Sequence, residues 1–326
     1  MSTQDSRMVI GIQPTCWTND DFPEIGNETP YQVILDQTRK AGYEGGSTGH
    51  NYPTHLPSLL RSLENPNMSA ETPPTFPGNR KPLRIASTWS GTTFTTGVNF
   101  DAALTAFKQQ IEFLKAVNAK DVVVAELANA VNGVRTKSVL HDGPILNNPE
   151  WYLLATSLNI AGEIAQKEGM QLSYHPHVGT GVMTIDEADR LLASTKEKYV
   201  GLCLDTAHLL YGGATRATKA TKDDVVEFTK RHKHRIKHVH LKNVRKSVLP
   251  VVVENNYSFY QAIQEGIFTV PGDTEGELDL DRILEVLQSV SYNGWLVVEA
   301  EQNPLHADPL KCAHTAREYI RSKLHY

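Results

Sequence analysis

Four side chains that bind divalent metals follow apolar, strand-like segments in the second half of the sequence. The segments read QLSYH, VGLCLD, IKHVH and WLVVE, and they end at His175, Asp205, His240 and Glu299. Imidazole nitrogens and carboxylate oxygens are ordinary ligands of Mn, Co, Fe and Zn. Two carboxylates balance the charge of a divalent ion, and two imidazoles make the set softer than an all-oxygen magnesium site. The pattern predicts one divalent metal ion held by these four residues.

Other polar residues fall close to these segments and are candidates for catalysis. Lys242 in HLKN is placed to polarise a carbonyl or stabilise an enolate, and Glu126, which ends VVVAE, is a candidate general base. His208 lies one helical turn beyond the aspartate ligand and is a candidate acid. His177 and Glu301 each follow a predicted ligand by two residues, where they could contact the substrate or support the metal ligands.

The segment WTNDD follows the first strand-like segment and contributes Trp17, Asn19 and Asp20. An aromatic ring, an amide and a carboxylate suit a substrate with several hydroxyl groups, so we expect these residues to bind a polyol. Taken singly, a histidine or aspartate at the end of a strand is more often a structural, hydrogen-bonded group than a metal ligand. The functional prediction depends on four ligands at the ends of successive strands.

Strand-like and helix-like segments alternate along the whole chain, which favours an α/β fold of the (β/α)₈ TIM-barrel type. Strands are predicted near 8–13, 44–48, 83–88, 121–126, 171–175, 199–204, 236–241 and 294–299. Helices are predicted near 30–41, 54–63, 99–118, 149–168, 184–195, 222–233, 279–290 and 307–323. Such a barrel builds its active site from the carboxyl ends of its strands, where the predicted ligands lie.

The domain organisation expected from this pattern is a single catalytic barrel over residues 1–326 with extended loops. Three segments exceed ordinary connections: 64–82, 127–148 and 243–273. The first falls after the second predicted helix, on the rim opposite the site. The other two follow the fourth and seventh predicted strands, so they either cover a small substrate or form plain surface loops.

Composition restricts the function further. The net charge of −5 argues against nucleic acid or an anionic membrane as the main partner. The three cysteines are too scattered for a disulfide framework, and no signal peptide or membrane span is visible, so we expect a reducing cytoplasm. The sequence contains no glycine-rich nucleotide-binding motif.

The residues described so far, together with their neighbours, resemble the xylose-isomerase-like barrel superfamily of sugar isomerases, epimerases and dehydratases. The most similar branch is the inosose dehydratases of myo-inositol catabolism. The resemblance is carried by WTNDD with PEIG (17–26), YHPHVGT (174–180), GLCLDTAHL (201–209), HVHLKNV (238–244) and GWLVVEAEQNP (294–304).

The resemblance implies a hydro-lyase that removes water from 2-keto-myo-inositol, a cyclic keto-polyol, through an enolate. It also implies one divalent ion, with Mn or Co preferred over Mg, Zn or Fe, and assistance by glutathione. The sequence departs from the dehydratase pattern at four positions. His175 stands where many members have Glu, Ser47 and Asn51 stand where the dehydratases have Glu and Lys, and Thr88 stands where Gly is usual.

Three other functions stay open at this point. An isomerase or epimerase acting on a related keto-sugar or keto-inositol would use the same metal and enediolate. A DNA-repair endonuclease on the same barrel would need several zinc ions and a basic groove, and a sugar sensor would have lost the metal. A homo-oligomer is compatible with the sequence, which has no feature that selects it.

Overall fold

Parallel β-strands form the centre of the protein. The computed structural model describes residues 7–64, 81–97, 99–214 and 219–324. In these ranges the strands are β1 (Val9–Ile12), β2 (Gly45–Gly46), β3 (Arg84–Ile85), β4 (Trp89–Thr92), β5 (Asp121–Glu126), β6 (Gln171–Tyr174), β7 (Val200–Asp205), β8 (Ile236–Leu241), β9 (Asn243–Val244), β10 (Phe268–Thr269) and β11 (Trp295–Val298).

The order of strand pairing closes a barrel. Seven strands pair in the order β1-β11-β8-β7-β6-β5-β4, and all of their pairings are parallel. Strands β3 and β4 lie in one chain segment, whose first part pairs with β2 and whose second part pairs with β5. The amide of Glu44 donates to the carbonyl of Ile10 at 2.9 Å, which joins the β2 segment to β1. The result is eight strand positions around the barrel.

Helices surround these strands. They are α1 (Tyr31–Lys40), α2 (Leu56–Glu64), α3 (Phe100–Ala116), α4 (Asn148–Lys167), α5 (Ile185–Ser194), α6 (Thr206–Gly212), α7 (Lys222–His232), α8 (Leu249–Glu254), α9 (Phe259–Gln264), α10 (Leu280–Ser289) and α11 (Pro309–Leu324). Two short 3₁₀ segments cover Pro14–Cys16 and Phe94–Thr96. No helix in the described ranges combines the length and apolar character needed to span a bilayer.

The sequence explains why these elements form. Every residue of β5 and of β7 is buried, as expected for parallel strands covered on both faces. Helix α10 buries Leu280, Ile283, Leu284 and Leu287, which share one helical face. Capping boxes at Asn147, Thr184, Thr221 and Ser258 fix the starts of α4, α5, α7 and α9.

The predicted barrel is confirmed, and each predicted helix and strand overlaps an observed one. The elements that were not predicted are short: α6, α8, α9, β4, β9 and β10. All seven residues of α6 are buried, so its sequence TAHLLYG has no polar face that would reveal a helix. The predicted insert at 64–82 lies mostly outside the described residues.

The two long loops that follow β5 and β8 contact each other. Ser138 in 127–148 forms an isolated antiparallel bridge with Ser258 in 243–273. The guanidinium of Arg135 lies 4.4 Å from the ring centre of Tyr260 and 5.9 Å from that of Phe22, which follows β1. Three loops of the catalytic face therefore meet around one arginine.

Candidate active site

The four predicted metal ligands meet at the carboxyl ends of β6, β7, β8 and β11, which are neighbours in the barrel. His175 directly follows β6, Asp205 ends β7, His240 is the penultimate residue of β8, and Glu299 directly follows β11. All four side chains are buried, and one ligand atom of each lies within 4.8 Å of the others.

The spacing of these atoms fits one small ion. His175 Nε2 lies 3.4 Å from Asp205 Oδ2 and 3.1 Å from His240 Nδ1. His240 Nδ1 lies 2.6 Å from Glu299 Oε2 and 3.7 Å from Asp205 Oδ2. A tetrahedral ion with ligand distances of about 2.0–2.2 Å separates its ligands by about 3.3–3.6 Å. The two distances to Asp205 Oδ2 are close to this range, and the other two are shorter, so His240 Nδ1 would move slightly away from its neighbours to admit an ion.

The hydrogen bonding of the two carboxylates also fits a cation. Asp205 Oδ1 accepts from the amides of Ala207 and His208 at 3.0 and 2.8 Å, and it thereby caps α6. Asp205 Oδ2 and Glu299 Oε2 are buried and accept no well-oriented hydrogen bond, although Lys242 Nζ lies 3.2 Å from the first and His240 Nδ1 2.6 Å from the second. Buried carboxylate oxygens are costly unless they are fully compensated, so a metal bound on the side of the imidazoles would complete their surroundings.

The protonation states suit metal binding. Burial lowers the pKa of His175 to about 4, and burial beside His238 lowers the pKa of His240 well below its ordinary value. Both imidazoles are therefore neutral at neutral pH, which is the form that binds metals. Burial raises the pKa of Glu299 to about 7, and the ammonium of Lys242 opposes that rise. For Asp205 the effect of burial is outweighed by Lys242 and His208, which hold its pKa well below the usual range.

Gln13, the residue after β1, contacts His240, one of the four predicted metal ligands. Its side-chain nitrogen lies 3.0 Å from His240 Nε2. If a metal binds Nδ1 of His240, the ring carries its hydrogen on Nε2. The amide oxygen of Gln13 must then face the ring to accept that hydrogen. Turning over the side-chain amide of Gln13 places its oxygen there. Gln13 can thus fix the orientation of His240 from the opposite side of the ring.

Lys242 lies among the carboxylates behind the metal ligands. Its Nζ is 2.5 Å from Glu301 Oε2, 3.1 Å from Glu299 Oε1, 3.2 Å from Asp205 Oδ2 and 3.0 Å from His208 Nε2. The side chain is fully buried. Lys242 and His208 do not line the cavity described below, so neither predicted catalytic group reaches a substrate there.

His177 and Glu301 form the part of this cluster that is open to the cavity. His177 Nδ1 lies 2.8 Å from the carbonyl oxygen of Val178, which can only accept, so Nδ1 carries the hydrogen and Nε2 keeps its lone pair when the ring is neutral. Nε2 lies 3.9 Å from Glu301 Oε1. Burial opposes protonation of this ring, but Glu301 and Asp21 outweigh it and raise the pKa of His177.

A cavity of about 160 Å³ opens above the metal ligands, a size that suits one small molecule. Three predicted ligands line it, together with Asn19, Asp20, His177 and Glu301, which were predicted to contact substrate. Ser47, which departs from the dehydratase pattern, also lines it, whereas Asn51 and Thr88 do not. The opposite wall carries Ser87, whose Oγ lies 3.0 Å from that of Ser47.

Two predicted site residues lie away from the cavity. Trp17 is buried and its Nε1 donates to the side chain of Gln37, so its ring packs below the loop instead of facing a substrate. Glu126 Oε2 accepts from Phe94 N at 2.9 Å, and Oε1 accepts from Thr95 N at 3.1 Å. With both oxygens bonded to the loop after β4, Glu126 anchors that loop and is not placed as a base.

Some residues of the cavity were not predicted from the sequence. They are Gln13, Ser87 and Trp89. Asn132 does not line the cavity, but its Nδ2 donates at 2.9 Å to Oδ1 of Asp21, the lining residue that ends the predicted segment WTNDD. For Gln13 a signal was present, because it is polar and follows an apolar strand as the metal ligands do. Asn132 lies within a long loop, and its contact with a residue 111 positions earlier has no local signature.

Comparisons with known proteins agree with this geometry. Residues 86–323 match the model of the family described as xylose isomerase-like TIM barrel. This chain belongs to that family. Two relatives are the inosose dehydratases of Clostridium perfringens and Geobacillus thermodenitrificans, each 37% identical, over 319 and 318 residues respectively. In each case the alignment covers 98% of both chains.

Several solved structures share this fold at low sequence identity. The IolI protein with a bound zinc atom superposes with a TM-score of 0.65 at 16% identity, covering 97% of this chain and 98% of that one. The probable 3-DHS dehydratase AsbF of Bacillus anthracis has a TM-score of 0.64 at 14% identity, covering 96% and 98%. The 3-keto-D-glucoside 4-epimerase YcjR of E. coli has a TM-score of 0.61 at 15% identity, covering 97% of this chain and 100% of that one.

Proposed function

We propose that this protein is an inosose dehydratase, a metal-dependent hydro-lyase that removes water from 2-keto-myo-inositol in myo-inositol catabolism. The observation that carries the proposal is the convergence of His175, Asp205, His240 and Glu299 beneath a small polar cavity. The inosose dehydratases that match nearly the whole chain supply the substrate class.

The four ligands would hold one divalent ion, with Mn or Co expected. When bound, such an ion polarises a ketone oxygen and makes the neighbouring C–H bond more acidic. The residues of this chain have to orient the substrate and move the proton. Dependence on glutathione, a cytoplasmic location and a homo-oligomeric state stay predictions.

We assign the proton transfers to His177, since the residue lines the cavity and its Nε2 carries a lone pair in the neutral form of the ring. The raised pKa of this ring makes that neutral form a stronger base. It would take the proton next to the ketone. The departing hydroxyl group needs one proton to leave as water, so the same imidazolium can return the proton that it took. The neighbouring carboxylate of Glu301 favours the charged ring between the two transfers.

The wall opposite the metal ligands would bind the hydroxyl groups of the ring. Asn19, Asp20, Ser47 and Ser87 present oxygens and an amide there. Ser47 and Ser87 are uncharged hydroxyl groups that can both donate and accept, which suits the hydroxyl groups of a neutral polyol.

The decisive experiment is incubation of the metal-loaded protein with 2-keto-myo-inositol. We expect a product lighter by one water molecule and a new absorbance from its dione group. The control is Glu299→Gln, which should give neither signal. The epimerase reaction is the alternative because a 3-keto-D-glucoside 4-epimerase shares this fold. An isomeric product of unchanged mass would refute the dehydratase proposal and support the epimerase.

A further inference from the structure

We propose that the ammonium of Lys242 occupies the position of a second metal ion, and that it keeps this active site mononuclear. The inference rests on the metal site of the proposed function. Beside the four ligands lies a second group of metal-binding side chains, His177, His208 and Glu301, whose ligand atoms lie within 4.8 Å of one another. The ammonium lies between the two groups.

The two oxygens of Glu299 point to different positions. Oε2 lies 2.6 Å from His240 Nδ1, on the side of the metal ligands, and Oε1 lies 3.1 Å from Lys242 Nζ. In two-metal enzymes the ions lie about 3.5–4 Å apart, and bridging carboxylates contact both. With a metal held by the four ligands, Glu299 would bridge in a similar way, with the ammonium of Lys242 as its second partner.

The groups around the ammonium of Lys242 are also those that bind metal ions. Its neighbours are carboxylate oxygens of Asp205, Glu299 and Glu301 and the imidazole nitrogen Nε2 of His208, which are the ligand types that divalent transition metals prefer. The ring of Phe268, 4.6 Å from Nζ, covers one side. The ammonium thus lies in a nitrogen–oxygen cage that a metal ion would suit.

The net charge of the cluster explains why Lys242 would exclude a second metal ion. The three carboxylates of this cluster carry three negative charges, the ammonium cancels one, and a single divalent ion cancels the other two. A second divalent ion in addition to the lysine would leave the buried cluster positively charged, which is unfavourable. Without the lysine, one divalent ion leaves one of the three carboxylate charges uncompensated. A second ion at the ammonium position then leaves one positive charge, in place of the two that would remain if both ions and the lysine were present.

The test is the number of Mn²⁺ ions bound per chain after dialysis against excess Mn²⁺, with electron paramagnetic resonance to detect pairs of coupled ions. Wild type should bind one ion and show no coupling. Lys242→Met, which keeps the length of the side chain, should bind two coupled ions. The matched control Lys242→Met/His208→Gln lacks a ligand of the second group and should return to one.

Two results would overturn the proposal. One is a single ion in folded Lys242→Met, and the other is a second ion in wild type at millimolar Mn²⁺. The wild-type titration decides the matter if Lys242→Met does not fold. Failure of the proposed function gives a different pattern, because wild type would then bind no ion or would bind one without dehydrating the keto-inositol.

Discussion

At the scale of single residues, the site depends on the pairing of buried polar atoms. Asp205 Oδ2 and Glu299 Oε2 accept no well-oriented hydrogen bond, the ammonium of Lys242 lies close to both carboxylates, and the imidazole nitrogens beside them are neutral near neutral pH. Such a set is unfavourable without a cation and favourable with one. The metal-binding property is therefore a property of four side chains and of the few groups that orient them.

Gln13→Met should weaken metal binding by about 10–100-fold, the usual effect of losing a partner that orients a metal-binding histidine. Methionine has a similar length but cannot accept the hydrogen of His240 Nε2. Gln13→Glu supplies an acceptor and serves as the control, with near-normal affinity expected. Calorimetric titration with Mn²⁺ measures both, and equal affinities for the two variants would contradict the role of Gln13.

His177→Gln should lower kcat by about 10²–10⁴-fold, the contribution of one well-placed acid or base. The metal content should not change, because His177 is outside the ligand quartet. Elemental analysis and steady-state kinetics on the same preparation separate the two effects. Glu126→Gln is the comparison variant. A larger loss of kcat in Glu126→Gln than in His177→Gln would show that Glu126, and not His177, transfers the proton.

At the scale of elements, Asp205 joins a strand, a helix and the metal site. It ends β7, and its Oδ1 caps α6 through the amides of Ala207 and His208. A single side chain thus sets the direction in which the chain leaves the barrel and places His208 one turn further on.

Comparison of Asp205→Asn with Asp205→Ala separates the two roles. Both variants should lose metal binding, because an amide lacks the negative charge and alanine has no ligand. Asparagine still caps a helix, whereas alanine does not, so Asp205→Ala should be less stable than Asp205→Asn by about 0.5–2 kcal/mol. Urea denaturation of the metal-free proteins measures the difference, and equal midpoints would exclude a capping role.

The sequence predicts long elements better than short ones. Strands such as β5 and β7 are continuous apolar segments, and helices such as α10 show one apolar face, so both could be recognised. Helix α6 is buried on all sides, and β9 and β10 are two-residue strands that exist only because they pair with each other. Their formation depends on contacts that no local pattern encodes.

At the scale of the whole molecule, the site also contains some features that a local sequence pattern predicts and others that depend on contacts between distant segments. The convergence of the four predicted ligands could be predicted, since each follows or ends an apolar strand and parallel strands bring their ends together. The roles of Asp21 and Asn132 were not predictable, because their contact joins two loops across the face of the barrel. Likewise, nothing in HLKN indicates that the lysine turns behind the ligands, away from the cavity.

Arg135→Ala should loosen the three loops that meet around this guanidinium. One cation–π contact at an exposed site contributes about 0.5–1 kcal/mol, so we expect KM to rise about two- to five-fold. Arg190→Ala is a matched control, because Arg190 stacks at 4.6 Å on Trp151 and neither residue lines the cavity. A rise in KM of the same size in both variants would show that the effect is not specific to the loops of the catalytic face.

Metal removal should lower the stability of the whole domain. A ligand that binds only the folded state, at a free concentration about 100 times its Kd, stabilises that state by about 2.7 kcal/mol. We therefore expect a chelator to lower the melting temperature and Mn²⁺ to restore it. Glu299→Gln should show little response to either addition, and an unchanged wild-type melting temperature would contradict the buried metal site.

The position of the ligands along the chain has a consequence for biosynthesis. His175, Asp205 and His240 leave the ribosome well before Glu299, and the contact of β1 with β11 forms only after that last strand has emerged. A growing polypeptide thus carries an incomplete set of donors until its final quarter is translated. Metal acquisition by this enzyme is expected to follow synthesis, so that cells short of the ion would accumulate finished but inactive chains.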